Sequence, residues 1–234
     1  MPASTPLPLP PADPRAPGDA PLLVVFGAGG HGRVAADAAL ASRAWRGVVA
    51  CDRREQLWGS ELLPGVPVLS LQALCDLPAP WGLHVAIGDN ASRRRETRAL
   101  LAGQARGAVP ATIVHPLAAL APSAAIGPGC LLTAHCVVAP LAVLGEGAIV
   151  NHTAVIDHDC TVGAWSHIAP GARLGGGVRV GDCALVGAGS TVLRGLRVGA
   201  GSVLGAGAVA LQDIPDEGRW AGVPARQTHD GVAA

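Results

Sequence analysis

The tripeptide Asp157-His158-Asp159 places an imidazole between two carboxylates. A carboxylate that accepts a hydrogen bond from one ring nitrogen fixes the tautomer and raises the basicity of the other. Such a pair can take a proton from an attacking amine or hydroxyl, as acyl transfer requires. The same residues also suit a solvated turn, and composition alone leaves both readings open. A second group lies nearer the start. Gly27-Ala-Gly-Gly-His-Gly32 has the spacing Gly-x-Gly-x-x-Gly, with Asp52 following at the end of the next strand-like run. On a strand-to-helix turn this pattern brings backbone N–H groups against a phosphate, and the acid suits a ribose. A nicotinamide dehydrogenase is the competing reading. Against it, only about 90 residues precede the repeats described below, too few for a full double nucleotide-binding unit.

Several other chemistries are excluded. All 17 Lys-plus-Arg positions are arginine, so there is no P-loop lysine, pyridoxal Schiff base or lysine nucleophile. The six cysteines (51, 75, 130, 136, 160 and 183) form no CxxC pair and no disulfide framework. A reduced, cytoplasmic setting is expected from them. The formal net charge of zero gives no long-range field for nucleic acid or an anionic membrane. No basic-then-apolar leader opens the chain and no apolar run is long enough to span a bilayer, so no membrane partner is expected.

The elements that must position these groups follow from the pattern. Residues 1–21 contain eight prolines and read as a disordered arm. Beyond it, strands are expected at 22–26, 47–51, 66–69, 83–87 and 108–114. Helices are expected at 33–42, 71–76 and 90–105, the last with Arg93, Arg94 and Arg95 on a solvated face. Alternating strands and helices predict a small, mostly parallel, doubly wound α/β domain.

From Val114 the period becomes six. Every sixth residue to Leu204 is Ile, Leu or Val, whereas few of the other residues in 114–209 are. Four residues after each lead the position is Ala, Ser or Cys, the exceptions being Val178 and Leu196. Neither a helical nor an alternating period fits, and a hexapeptide repeat marks a parallel β-helix with three hexads per triangular coil. The lead fills the interior and the small residue fits beside it. Glycine, which follows the lead in eight hexads, is expected to supply φ > 0 at the corners. The leads alone return less free energy than ordering the coils costs, so an oligomer is expected.

Ile156-Asp-His-Asp-Cys160, His167-Ile-Ala-Pro-Gly171 and Gly222-Val-Pro-Ala-Arg226, following the glycine-rich loop, resemble one family over about residues 22–226. It is the hexapeptide-repeat sugar acetyltransferases. The subfamily contains the sugar-nucleotide 4-amino N-acetyltransferases of bacillosamine and perosamine synthesis and the sialic acid O-acetyltransferases. The resemblance implies a Rossmann-like domain over 22–112, a left-handed parallel β-helix over 113–212 and a tail over 213–234. It also implies a homotrimer that uses acetyl-CoA as co-substrate and needs no metal. Carried over residue by residue, His158 is the general base and Asp159 its support. His167, Ala188 and Ala206 contact acetyl-CoA. Gly29, Gly30, His31, Asp52, Arg53 and Gly88 hold a nucleotide-linked amino sugar. Arg197 and Arg226 are candidates for the CoA phosphates or plain solvated side chains. Relatives often have consecutive acids after the second strand, where this chain has Asp52-Arg53-Arg54.

The implied reaction is N-acetylation at the 4-amino group of a nucleotide-linked deoxyamino sugar. Sialic acid O-acetylation and a non-catalytic β-helix scaffold are the alternatives. γ-Class carbonic anhydrase shares the trimer fold with a three-histidine zinc site. The repeat nearly stacks His135 and His152 on adjacent coils, but the His-x4-His pair of that site is missing.

Overall fold

The computed structural model describes residues 19–228, so the arm expected over 1–21 lies outside the described residues but for its last three. The chain forms two units. One takes in the chain to Gly88 with Ser92–Ile113, and the other takes in Asp89–Ala91 and the chain from Val114.

The first unit is built on a six-stranded sheet. Its strands are β1 (Leu22–Phe26), β2 (Gly47–Cys51), β3 (Glu61–Leu63), β4 (Val66–Leu69), β5 (Trp81–Val85) and β6 (Ala108–Pro110). Their order is β3-β4-β2-β1-β5-β6, parallel except for the β3–β4 hairpin. β1, Leu-Leu-Val-Val-Phe, is buried at every residue, as a central strand covered on both faces must be. Helix α1 (Gly30–Ser42) follows β1 and buries Ala35, Ala36, Ala38 and Ala39. It begins earlier than expected, because the glycines are part of its first turn. A Cβ at Gly32 would strike the Gly27 carbonyl oxygen, so glycine there lets the helix pass close beneath the loop.

Three further expectations change. The 108–114 segment is two strands, Ala108–Pro110 and Ile113–Val114, and the 71–76 segment is a short 3₁₀ turn. Helix α2 (Asn90–Ala102) does not leave all three arginines in solvent. Arg93 is 1% exposed and donates from one guanidinium nitrogen to the carbonyls of Ile87 and Gly88. Paired with carbonyls, the buried charge becomes a clamp on the loop after β5.

The second unit is a left-handed parallel β-helix. Each coil advances the chain by three hexads, as in the register Leu131↔Ile149↔His167↔Leu185↔Val203. An eight-strand face runs from Ile113–Val114 through Val203–Leu204, a six-strand face from Ala119–Leu120 to Val209–Ala210, and a five-strand face from Ala125–Ile126 to Arg197–Val198. The strands are very short and carry too little twist to impose the usual right-handed crossover. The lead is the second residue of each strand and points inward. From Leu132 onward every lead is buried, interleaved with Cys130, Cys136, Ala142 and their equivalents. Aromatic rings are too large for this lumen, which explains a core with so few of them.

The corners divide the work of glycine differently from the expectation. The left-handed conformation falls midway between leads, where every sixth residue from Gly129 to Gly207 has φ between 56° and 74°. The glycines directly after the lead have ordinary φ. They are needed because the next coil passes too close: a Cβ at Gly145 would lie 2.6 Å from the Ala164 nitrogen. Beyond the hexads, Arg219–Ala221 joins the eight-strand face in parallel and pairs with Arg226–Gln227 as an antiparallel hairpin. Buried Trp220 and Ile214 close that end of the prism, as a solenoid terminus requires. Among the described residues, no helix is long and apolar enough to cross a membrane.

This division of glycine roles has a direct test in denaturant midpoints. Gly145→Ala forces backbone apart and is expected to cost about 1–3 kcal/mol. Gly195→Asn keeps a left-handed residue with open space around it and is expected to cost less than about 1 kcal/mol.

Candidate functional site

Six of the residues singled out from the sequence converge at the carboxyl ends of β2, β1 and β5, three adjacent strands. Such a strand-order reversal is where open α/β sheets bind ligands. Gly27 donates to the Cys51 carbonyl at 2.8 Å and Ala86 to the Phe26 carbonyl at 2.8 Å, which lashes the three loops together. Gly29 and Gly30 stand at the N-terminus of α1, which has no side-chain cap and no acidic residue in its first turn. Neither they nor Gly88 has any atom within 4 Å of where a Cβ would be, and all three have ordinary φ. Nothing in the chain itself demands glycine there. His31 is half-buried on the same turn.

Asp52 is buried, and its carboxylate is fully used. Oδ2 accepts from the Ala28 N–H at 2.7 Å and from Arg54 at 2.9 Å, while Oδ1 accepts the Arg54 N–H and Nε, both at 2.9 Å. Four bonds match the acceptor capacity of a carboxylate. The Arg54 bonds above all hold its pKa down at about 2. Asp52 thus clips the glycine-rich loop to the end of β2. The next side chain, Arg53, is exposed, pairs with Glu96 at 2.9 Å and lies over the Phe26 ring. Beneath these loops His84 is completely buried, with Nδ1 3.2 Å from the Ala111 carbonyl, and burial depresses its pKa to about 3. It is a neutral core histidine.

The second group occupies the β-helix edge that follows the six-strand face. His158 comes just past the buried lead Ile156, so its side chain leaves the core. Asp159 holds the left-handed corner position at φ 58°. That turn brings its Oδ2 to 2.7 Å from His158 Nδ1, with both side chains more than half exposed. Asp157 accepts the His158 backbone N–H at 2.8 Å. The Asp159 hydrogen bond, then the Asp157 charge, raise the His158 pKa above the ordinary 6.5. An ionised carboxylate only accepts, so Nδ1 carries the proton and the lone pair of the neutral ring sits on Nε2. The pair is therefore an oriented base.

The third group lies along the edge that follows the eight-strand face. His167 is half-buried at the start of the strand His167–Ile168, and its Nε2 is 3.1 Å from Asn151 Nδ2. Asn151 Oδ1 accepts the His152 N–H at 2.9 Å, which turns the amide nitrogen toward His167. An amide nitrogen only donates, so neutral His167 keeps its proton on Nδ1. Asn151 belongs to none of the sequence motifs; its position directly after a lead, where glycine prevails, is the signal that marks it. Ala188 and Ala206 are exposed and stacked one coil apart, with Gly207 donating to the Ala188 carbonyl at 2.8 Å.

One chain therefore holds His158–Asp159 on one edge and His167, Ala188 and Ala206 on another. Arg197 forms an ion pair with Asp216. Cys130, Cys136 and Cys160 are buried among the leads, and burial raises the thiol pKa of Cys136 to about 12. Among the described residues, no three His, Cys, Asp or Glu side chains are grouped to hold a metal ion.

Comparison with known proteins gives a consistent set of matches. The family model described as the PglD N-terminal domain matches residues 22–100, and the bacterial transferase hexapeptide model (six repeats) matches residues 141–176. The acetyltransferase domain of PglB from Neisseria gonorrhoeae FA1090, solved in complex with acetyl coenzyme A, is 40% identical with a TM-score of 0.81. That match covers 88% of this chain and 98% of that one. A histidine mutant of perosamine N-acetyltransferase from Caulobacter crescentus, in complex with CoA and GDP-perosamine, is 34% identical with a TM-score of 0.79. It covers 89% of this chain and 97% of that one. PerB from Caulobacter crescentus, also in complex with CoA and GDP-perosamine, is 30% identical over 88% of this chain and 96% of its own, with a TM-score of 0.68. No curated protein sequence matches the chain.

The electrostatics of the exposed pair can be checked without a substrate. The pH dependence of hydrogen–deuterium exchange at histidine C2, read by mass spectrometry, is expected to give His158 a midpoint above 6.5. Asp159→Asn should lower that midpoint, and Asp157→Asn should lower it less.

Proposed function

The chain belongs to the hexapeptide-repeat sugar acetyltransferases, and from that membership we propose that it carries an acetyl group from acetyl-CoA to the 4-amino group of a nucleotide-linked deoxyamino sugar. The observation that carries this reading is the His158–Asp159 pair, a base oriented through Nδ1 with Nε2 turned outward. It suits an acceptor that must lose a proton as it attacks. The named complexes of acetyl coenzyme A in the gonococcal relative and of CoA with GDP-perosamine in the Caulobacter relatives support the same pair of substrates. Both relatives from Caulobacter carry their sugar on a nucleotide, which favours an amine on such a sugar over the hydroxyl of free sialic acid.

The first unit holds the nucleotide in this reading. Gly29 and Gly30 leave space at an uncapped helix N-terminus, where backbone N–H groups and the helix dipole favour a phosphate. Asp52 acts by clipping that loop in place, and Arg53 is the exposed contact beside it. Gly88 lines the third side, its loop clamped by Arg93.

The chemistry belongs to the second unit. His158 Nε2 receives the proton that the amine gives up as its nitrogen bonds to the acetyl carbon and the carbon–sulfur bond breaks. The departing thiolate takes that proton from the imidazolium, which returns His158 to its neutral form. Asp159 stabilises the imidazolium that forms. His167, with its proton on Nδ1 and its ring braced by Asn151, supplies a donor for the carbonyl oxygen as charge builds there. No covalent enzyme intermediate is involved, since the cysteines near this region are buried with raised pKa. Because one chain keeps His158 and the Ala188–Ala206 edge apart, a site using both takes its second edge from a neighbouring copy. In this reading the assembly is the homotrimer that family membership implies, with prisms side by side.

The test is thiol release from acetyl-CoA with UDP-, GDP- and dTDP-linked 4-amino sugars and free sialic acid as acceptors. His158→Ala is expected to lose about 10²–10⁴-fold in kcat while keeping its melting temperature and its trimer by light scattering. An intact assembly with near-native turnover would end the proposal. Gly30→Trp is expected to raise KM for the sugar nucleotide and leave acetyl-CoA affinity unchanged. If both affinities collapse in a folded trimer, the division of labour between the units is wrong.

A further inference from the structure

One coil beyond His158 the chain reads Gly175-Gly176-Gly177, and the three glycines are there for three different reasons. Gly175 follows a lead, and a Cβ on it would lie 2.8 Å from the Arg194 backbone nitrogen of the next coil. Gly177 has φ +71°, the left-handed corner position. Gly176 has neither need. Its φ is ordinary, and the atoms nearest its missing Cβ belong to one side chain: His158 Cε1 and Nε2, both at 2.6 Å.

We propose that Gly176 is a positioning residue for His158: the absent Cβ is the floor on which the imidazole lies, with the Asp159 bond holding its other side. This rests on the reading of His158 as the general base. Three observations support it. Coil stacking sets Gly176 beside His158, since the Gly177 N–H donates to the His158 carbonyl at 2.9 Å. The atoms that a Cβ would displace include Nε2, the nitrogen that takes the proton. The ring is also 60% exposed, which leaves Asp159 and this floor to fix its direction. A methyl group at 176 would therefore not push coils apart. It would lift the ring off the floor and out toward solvent, stretching or breaking the Nδ1–Asp159 bond, at little cost to the fold. A misplacement on the order of 1 Å at a reacting group can cost about 10²-fold in rate.

The experiment compares Gly176→Ala, His158→Ala and the double variant in the full chain, with three readouts. The first is the His158 midpoint from C2 exchange, the second is kcat with the best acceptor, and the third is the melting temperature with oligomeric state. Gly176→Ala is expected to lower the His158 midpoint toward that of Asp159→Asn. It should reduce kcat about 10- to 100-fold, less than His158→Ala does. Any loss of melting temperature should vanish in the His158→Ala background, where the clash has no partner. Unchanged midpoint and unchanged kcat in Gly176→Ala would overturn the proposal. So would a melting-temperature loss of the same size with and without the His158 ring, because the floor would then be serving the backbone. If the midpoint falls but His158→Ala itself retains full kcat, the floor stands and the base assignment fails.

Discussion

The backbone ladder between successive coils is the constraint on which the second unit depends. Parallel strands hydrogen-bond at one fixed spacing, so every residue is stacked on its equivalent three hexads along the chain. That spacing limits the lumen to aliphatic leads with Ala, Ser or Cys beside them. It also brings the residue after each lead so near the next coil that only a small side chain fits at most corners. Where Asn151 and Asp157 occupy that position instead, each side chain turns back to accept the N–H of the next residue. Asn151 thereby reaches the His167 ring in the adjacent coil, and Asp157 holds the backbone of His158 beside it. Side chains with functional groups thus enter the lattice only where they can satisfy its local hydrogen bonding.

The first unit answers to a different constraint, the need to pair polar groups at the end of a buried sheet. Asp52, Arg54, Arg93 and the carbonyls of the β5 loop form a set in which every charged group meets partners. His84 below them avoids the problem by remaining uncharged. The charges of the rim are already paired, and Arg53 and Arg54 stand half-exposed beside its glycines.

Much of this is legible in the amino-acid pattern, for a physical reason. A lead at every sixth position has one geometric solution, so the coil, the interior positions and the outward direction of His158 follow from counting. The Gly-x-Gly-x-x-Gly turn is likewise local: Gly27 and Gly32 each meet backbone close beside them, while Gly29 stands in open space at the helix N-terminus. Handedness is not legible in the spacing and comes only through resemblance. The pattern misleads where a partner is distant in sequence. Arg93 reads as solvated beside Arg94 and Arg95, yet its side chain is buried under a loop that composition cannot reveal. Asp52 reads as a free ribose acid, but Arg54 and the Ala28 amide use all its acceptor sites. Glycines after the lead read as turn formers, whereas their role is set by the coil stacked against them. Asn151 and Gly176 stand out in no motif for the same reason, each acting on a histidine in the adjacent coil.

The fixed repeat also governs how the chain can change length. An insertion or deletion of three hexads adds or removes a whole coil and returns every later residue to its own edge. A change of one hexad keeps each lead buried, so the prism still forms, but it rotates everything downstream by a third of a turn. Placed between Asp159 and Gly175, such a change would carry the glycine floor to a different edge from the imidazole while the core stayed intact. Length variation in this fold is therefore quantised twice, in single hexads for folding and in triplets of hexads for function. The short stretch linking His158 to Gly176 is where the two quanta come into conflict.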